Sequence, residues 1–389
     1  MDYEKLNFII QNFFVETEIL SIDLINRGNV NTTYIFEHLY RGEKSKCILQ
    51  RLSNVFESHE IVNLNHQILT DHINKKKKLK NNDFDFHRKR WEVPSLIKCK
   101  SNNLFIYPFE SNSWRVMNYI DDTFNLCCLN DKSLAYEVGI GLAKFHWLCS
   151  DIDSSKIVNS INYFHNTKFY LDKYILNLRH FGFTNLDDEI NKRLKNLIID
   201  LSKHLDFIEP ILETIMIESI DYNIIHGDPK LSNFLFDAQH EFVVSLIDLD
   251  TISSGSLMTD LADCIRSICN LQGEDPLNKD DVFFDINSFK YFINGYFLKM
   301  DQRNYDSYRL LLEYIYVIIF ELTIRFLTDF LESNKYFKIE YKTHNLFRAE
   351  VQFRLLSSFL NQISILSNHL KEIGFSTSST FVADVQTII

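Results

Sequence analysis

Ile224-Ile225-His226-Gly227-Asp228-Pro229-Lys230-Leu231-Ser232-Asn233-Phe234-Leu235-Phe236, followed by Ser245-Leu246-Ile247-Asp248-Leu249-Asp250, is the stretch on which the reading of this chain turns. Its flanks are short apolar runs of strand character and its middle is a polar loop. The loop carries a carboxylate at Asp228 and an amide at Asn233; a second carboxylate, Asp248, leaves the apolar strand that follows. Phosphoryl transfer from ATP requires such a set. One carboxylate orients an acceptor hydroxyl and takes its proton, while hard oxygen ligands hold Mg²⁺ on the β- and γ-phosphates. Asp228 suits the first role, and Asn233 with Asp248 the second. Lys230 is placed to reach the γ-phosphate and offset developing charge. His-Gly-Asp alone is a common tripeptide; the amide and the Ile-Asp-Leu-Asp strand make it specific. Asp250 has two open roles, a second metal contact or a structural hydrogen bond. His226 reads as a structural residue of the loop.

Outward from the loop, the pattern divides the chain. Towards the N-terminus the order is α then β. Tyr3 to Phe14 has helical spacing, and Ser21 to Leu39 reads as two strands joined by Arg27-Gly28-Asn29-Val30-Asn31, residues that tolerate positive φ. A third strand is expected at Cys47 to Leu52, a helix at Glu57 to Ile73, and strands at Leu104 to Phe109 and Trp114 to Ile120. The basic cluster Lys75 to Lys80 with Arg88, Lys89 and Arg90 reads as a solvated loop. From Ser133 onward helical periodicity dominates, at Leu134 to Cys149, Phe169 to Leu178, Leu186 to Met216, Tyr308 to Leu331 and Leu346 to Ile373. The expected organisation is α+β: a small β-rich N-terminal lobe over residues 1–120, a larger α-rich C-terminal lobe over 121–375, and a frayed Ser/Thr-rich tail at 376–389.

Composition narrows the class. The chain has 389 residues, 46% hydrophobic and 24% charged, the mix of a soluble globular protein, and its length suggests two to three domains or two lobes around a cleft. A net charge of −11 disfavours nucleic-acid binding, which needs a phosphate-neutralising surface. Seven cysteines without CxxC pairs point to reduced thiols and a cytoplasmic location. The N-terminus has no apolar signal region, and the run Tyr314 to Phe320 is too short to cross a bilayer, so no membrane role is expected. Asp260, Asp263 and Arg266 fall at helical spacing and read as a structural ion-pair network. His146, His165 and His344 show no metal spacing and receive no catalytic role.

The catalytic loop resembles that of the aminoglycoside phosphotransferase and choline kinase superfamily, which has a protein-kinase-like bilobal fold. Within it the pattern is most similar to the N-acetylhexosamine 1-kinase group. Supporting segments are Gly28 to Tyr34, Ile48 to Leu52, Trp114-Arg115-Val116, Ile247 to Thr251, Arg325 to Leu331, Tyr336-Phe337-Lys338 and Asn345 to Ala349. The resemblance implies Asp228 as base and Asn233 and Asp248 as magnesium ligands. It implies a triphosphate covered by the turn containing Gly28, Asn29 and Asn31, and adenine received by the backbone of Met117 to Ile120, Met117 and Tyr119 included. Gln50 and Ile247 fall among the nucleotide-binding positions, and Arg325 and Tyr336 match positions that touch the sugar.

Where many superfamily members place a phosphate-binding Lys on the third strand, this chain has Gln50, so another cation or Mg²⁺ alone must neutralise those phosphates. Glu332-Ser333-Asn334 and Asn29 also depart from the subgroup, near the acceptor. The expectation is an ATP- and Mg²⁺-dependent kinase for a small-molecule hydroxyl, foremost the 1-hydroxyl of a sugar or N-acetylhexosamine. The alternatives are an amino alcohol or aminoglycoside kinase, for choline or homoserine for example, and a non-catalytic nucleotide-binding protein on the same fold.

Overall fold

The structure is a computed structural model that describes residues 2–25, 30–78, 90–183, 186–218, 223–298 and 307–388. In chain order its principal elements are α1 Tyr3–Gln11, β1 Glu18–Ile25, β2 Thr32–Tyr40, β3 Glu43–Arg51, α2 His59–Lys78, β4 Leu96–Ile97, β5 Tyr107–Phe109, β6 Asn112–Asn118 and β7 Thr123–Phe124. Then come α3 Leu134–Cys149, α4 Thr167–His180, α5 Asp188–Ser202, α6 Leu205–Glu218, β8 Asn223–Ile225, β9 Phe234–Asp237, β10 Val243–Leu246 and α7 Leu257–Ile268. The last are α8 Ile286–Phe297, α9 Leu311–Leu331, α10 His344–Asn361, α11 Ile363–Glu372 and α12 Ser379–Val385. The chain forms two compact units, one of residues 1–124, 144–162 and 235–254, the other of 125–143, 163–234 and 255–389.

The first unit is built on an antiparallel sheet in the order β1-β2-β3-β6-β4, with β5 also on β6. Strand β2 buries Tyr34, Phe36 and His38 in alternation, the period of a half-covered sheet. These residues meet Phe13 and Phe14 behind α1, with Trp114 and Val116 from β6. Each such side chain taken from water contributes roughly 1.5–3 kcal/mol. Strands β7, β9 and β10 form a second, small sheet, with Phe124 opposite Phe236.

Lys75 to Lys78, expected in a loop, are instead the last turn of α2. Cations there complement the unpaired carbonyls of a helix end. Lys76 donates to the Trp147 carbonyl at 2.7 Å and its ammonium lies 4.5 Å from the Trp147 ring.

The second unit is helical. Nearly every residue of α9 is buried, as befits a helix apolar on all sides, and α4, α7 and α10 pack around it. Helices α3 and α8 approach at Gly139 and Gly295, where an added Cβ would strike backbone atoms of Phe292 and Tyr136. The tract expected over Leu186 to Met216 breaks at Lys203-His204 into α5 and α6. The tail expected to fray folds from Ser378 onward. The Ser378 hydroxyl caps α12, and buried Phe381 lies 5.8 Å from Phe207 and 6.0 Å from Tyr316. Among the described residues no helix is long and apolar enough to cross a membrane.

Candidate active site

In the second unit the chain leaves β8 at Ile225 and turns through Gly227, which takes φ of +84°, a conformation open to glycine at little cost. Asp228 follows, and the turn Leu231–Asn233 closes the loop before β9. The Asp228 backbone N–H donates to His226 Nδ1 at 3.3 Å, the structural part expected of that ring. Lys230 Nζ lies 2.7 Å from Asp228 Oδ2. Asn233 Nδ2 donates to the Asp228 carbonyl at 2.8 Å, which leaves its Oδ1 on the opposite corner of the amide. Asp228, Lys230 and Asn233 are thus brought together as the spacing suggested.

Two supports hold this loop. One face of α7 carries Asp260 and Ser267, about two turns apart. Asp260 Oδ2 accepts from the His226 N–H at 2.7 Å and Oδ1 from the Gly227 N–H at 2.8 Å, while Ser267 Oγ accepts from the Leu231 N–H at 3.0 Å. The expected network therefore divides. Arg266 pairs with Asp263 at 2.7 Å and with Glu274 at 3.3 Å, while Asp260 serves the loop backbone. Burial opposes the Arg266 charge, but Asp263 and Glu274 outweigh it and hold the group above its ordinary range.

The second support is His165, to which the sequence assigned nothing. Its Nε2 lies 2.6 Å from the Gly227 carbonyl and its Nδ1 3.3 Å from Glu321 Oε1. The second contact is an ion-pair distance without hydrogen-bond alignment. Burial works to lower the His165 pKa, yet Glu321 and Asp263 raise it above the ordinary value. Glu321 also accepts from Thr167 Oγ1 at 2.6 Å and lies 3.4 Å from Arg325 Nη1.

Arg325 itself is sandwiched by rings, its guanidinium 4.7 Å from Tyr170 and 5.3 Å from Phe164. Asp329, one turn further along α9, does not hold it. Its two oxygens accept the backbone N–H groups of Tyr336 at 2.8 Å and Phe337 at 2.9 Å, with Asn345 Nδ2 at 2.9 Å. Tyr336 is half-buried, its ring 4.7 Å from that of Phe337.

The first unit carries the other carboxylates. Asp248 is exposed and left-handed, with φ 66° and ψ 57°, next to the short turn Leu249–Thr251. Asp accepts that conformation more readily than most residues. Asp250 points inward and is 3% exposed. Its Oδ1 meets Arg115 Nη2 at 2.6 Å and its Oδ2 accepts from Asn31 Nδ2 at 2.7 Å. Asn31 also accepts the Ser53 N–H at 3.0 Å.

Gln50 donates to Thr33 Oγ1 at 3.0 Å and accepts twice from Arg115, at 3.0 and 2.7 Å. Its amide is engaged inside the sheet by these bonds. Met117 is paired in β6 with Ile48 and Leu96, Tyr119 lies just past the strand end, and Ile247 is half-buried beside Asp248. Gly28 and Asn29 lie outside the described residues.

Residues 107–282 match the family model described as the phosphotransferase enzyme family. Among solved structures, spectinomycin phosphotransferase in complex with ADP and spectinomycin is similar with a TM-score of 0.57 and 12% identity, over 92% of this chain and 97% of that one. Choline kinase from Cryptosporidium parvum Iowa II gives 0.55 and 14%, over 96% and 98%. A microcompartment-associated aminopropanol kinase gives 0.52 and 12%, over 96% and 100%. The α+β, protein-kinase-like fold of these solved structures is therefore present in this chain.

Sequence reasoning missed Arg115, His165 and Glu321. Glu321 did leave a signal: a carboxylate inside an apolar helix must find a partner.

Proposed function

We propose that this protein is a phosphotransferase that moves the γ-phosphoryl group of ATP to a small-molecule hydroxyl, the 1-hydroxyl of a sugar or N-acetylhexosamine before others. The observation that carries the reading is Asp228, partly exposed, on a loop fixed from α7, from His165 and from Asn233. A carboxylate so held can orient a hydroxyl and receive its proton with little reorganisation. Lys230, paired with Asp228, is a charge that an arriving γ-phosphate would compete for. The similar structure of spectinomycin phosphotransferase in complex with ADP and spectinomycin supports a nucleotide and a small-molecule acceptor. Residues 1–120 would then cover the nucleotide, and 121–375 carry the catalytic loop and the acceptor residues.

Asn233 and Asp248 suit Mg²⁺, being hard oxygen donors with one carboxylate exposed. Among the described residues no group of three or more His, Cys, Asp or Glu is placed to hold a metal. Mg²⁺ in kinases needs only one or two carboxylates beside phosphates and water. When bound, it would neutralise charge on the β- and γ-phosphates. Arg325 and Tyr336 would meet the acceptor, and a guanidinium there suits a neutral or anionic acceptor better than a cationic one. Seven free cysteines fit the cytoplasm as the place of work.

The test is ATP consumption over a panel of free sugars, amino sugars and amino alcohols. Asp228→Asn should reduce turnover about 10²–10⁴-fold on the active panel member, with nucleotide affinity kept. Turnover at the wild-type rate in that variant, or activity confined to amino alcohols, refutes the respective part.

A further inference from the structure

The positive charge absent at Gln50 of β3 stands on the strand beside it, opposite that position. Arg115 on β6 is directly opposite Gln50 in register and is 1% exposed. Nε and Nη2 donate to Gln50 Oε1, Nη1 donates to Asn63 Oδ1 on α2 at 3.3 Å, and Nη2 also meets Asp250 at 2.6 Å. A guanidinium enclosed in this way has little surface to offer a phosphate. Nearby His66 is buried, and its pKa is pushed down to about 4 by burial and then by Arg115, so it adds no second charge.

What Arg115 holds is the turn after the metal strand. Asp250 is fixed on one side by Arg115 and on the other by Asn31, and its carbonyl accepts from Ser160 Oγ at 2.5 Å. Asp248, two residues earlier, sits directly before that turn in a left-handed conformation, so where its carboxylate points follows from where the turn is held. Asn31, meanwhile, ends the segment that joins β1 to β2.

We propose that Arg115 is a positioning residue, whose buried pair with Asp250 fixes Asp248, and the Asn31 end of the β1–β2 connection, in the geometry that receives the magnesium nucleotide. It replaces the missing strand lysine by arrangement and not by contact. The inference rests on the reading of Asp248 as a metal ligand. Outer residues that orient a ligand commonly change metal affinity about 10–100-fold when removed.

The test is calorimetric titration of the full chain with ADP, once with Mg²⁺ and once with EDTA. Arg115→Met and Asp250→Asn should each lose about tenfold or more of the Mg²⁺-dependent gain in ADP affinity. Metal-free ADP affinity should stay within about twofold, because a positioning residue makes no phosphate contact. Arg115→Lys, which keeps the charge without the planar fork, should fall between Arg115→Met and wild type. It carries the comparison if either of the other two fails to fold. Equal losses with and without Mg²⁺ would make Arg115 a phosphate contact and overturn the proposal. Unchanged affinity under both conditions in a folded variant would reduce the pair to a structural one and overturn it as well. Asp248→Ala is the control. If it keeps the full Mg²⁺-dependent gain, the reading of the metal turn itself fails. If it loses that gain while the Arg115 and Asp250 variants keep it, only the positioning role fails.

Discussion

Removing the Asp260 carboxylate should be among the costliest single changes outside the reacting groups. Asp260 is fully buried, and its two oxygens receive the consecutive N–H groups of His226 and Gly227 at 2.7 and 2.8 Å. In Asp260→Ala both donors are orphaned in a place water does not reach. An unsatisfied buried N–H costs roughly 1–3 kcal/mol, so the pair amounts to about 2–6 kcal/mol. Set against a typical total of about 5–15 kcal/mol, this is a large fraction. Asp260→Asn keeps one acceptor and turns an N–H₂ towards the other donor, so it should cost about half as much. Urea denaturation followed by tryptophan fluorescence gives the midpoint, and ATP turnover per folded molecule gives the second readout. Both should fall, turnover further than the folded fraction, because the released peptides are those that aim Asp228. A midpoint unchanged in Asp260→Ala would refute the energetic reasoning. A lowered midpoint with turnover per folded molecule intact would show that the loop needs no anchor.

Arg325→Ala should raise the acceptor KM about tenfold, the scale of one lost charge-assisted bond, with the KM for ATP nearly constant; equal changes on both substrates would return Arg325 to the structural frame. Acid should destabilise the protein through His66 and His204, both pushed down to about 4, in each case by burial first. The fold prefers them neutral while the unfolded chain takes its proton near pH 6.5. Their stabilisation is therefore complete above that pH and is lost as pH falls towards 4, by about 2 kcal/mol each at pH 5. His165 has the opposite sign, since its raised pKa gives stability present below pH 6.5 and lost above. Melting at pH 7 and pH 5 checks the balance, and His204→Phe should shrink the drop; a flat profile contradicts it. Phe381→Ala should lower stability by about 3–5 kcal/mol by emptying the ring contacts to Phe207 and Tyr316, and a melting temperature equal to wild type would mean α12 adds nothing.

The chemistry of the loop was legible because it is local. Asp228, Lys230 and Asn233 lie within one turn of chain, and a short apolar strand on each side leaves few ways to arrange them. The α3 boundaries were legible too, since Leu134 to Cys149 keeps an unbroken helical period between polar ends. The division of α5 from α6 was not, because the apolar period runs on through the break.

Charges inside the core behave differently again. Arg115 finds Asp250 at a separation of 135 residues, Thr167 finds Glu321 at 154, and His165 finds Gly227 at 62. Nothing in the periodicity of either member of such a pair says which acceptor it will meet. A buried charge must be paired, and that much is a property of the amino acid. Which partner satisfies it depends on how sheet and helices pack, and only the tertiary structure decides that: it gave Asp329 to the Tyr336 and Phe337 backbone, left Arg325 to Glu321 and the aromatic rings, and set Arg115 beside Gln50.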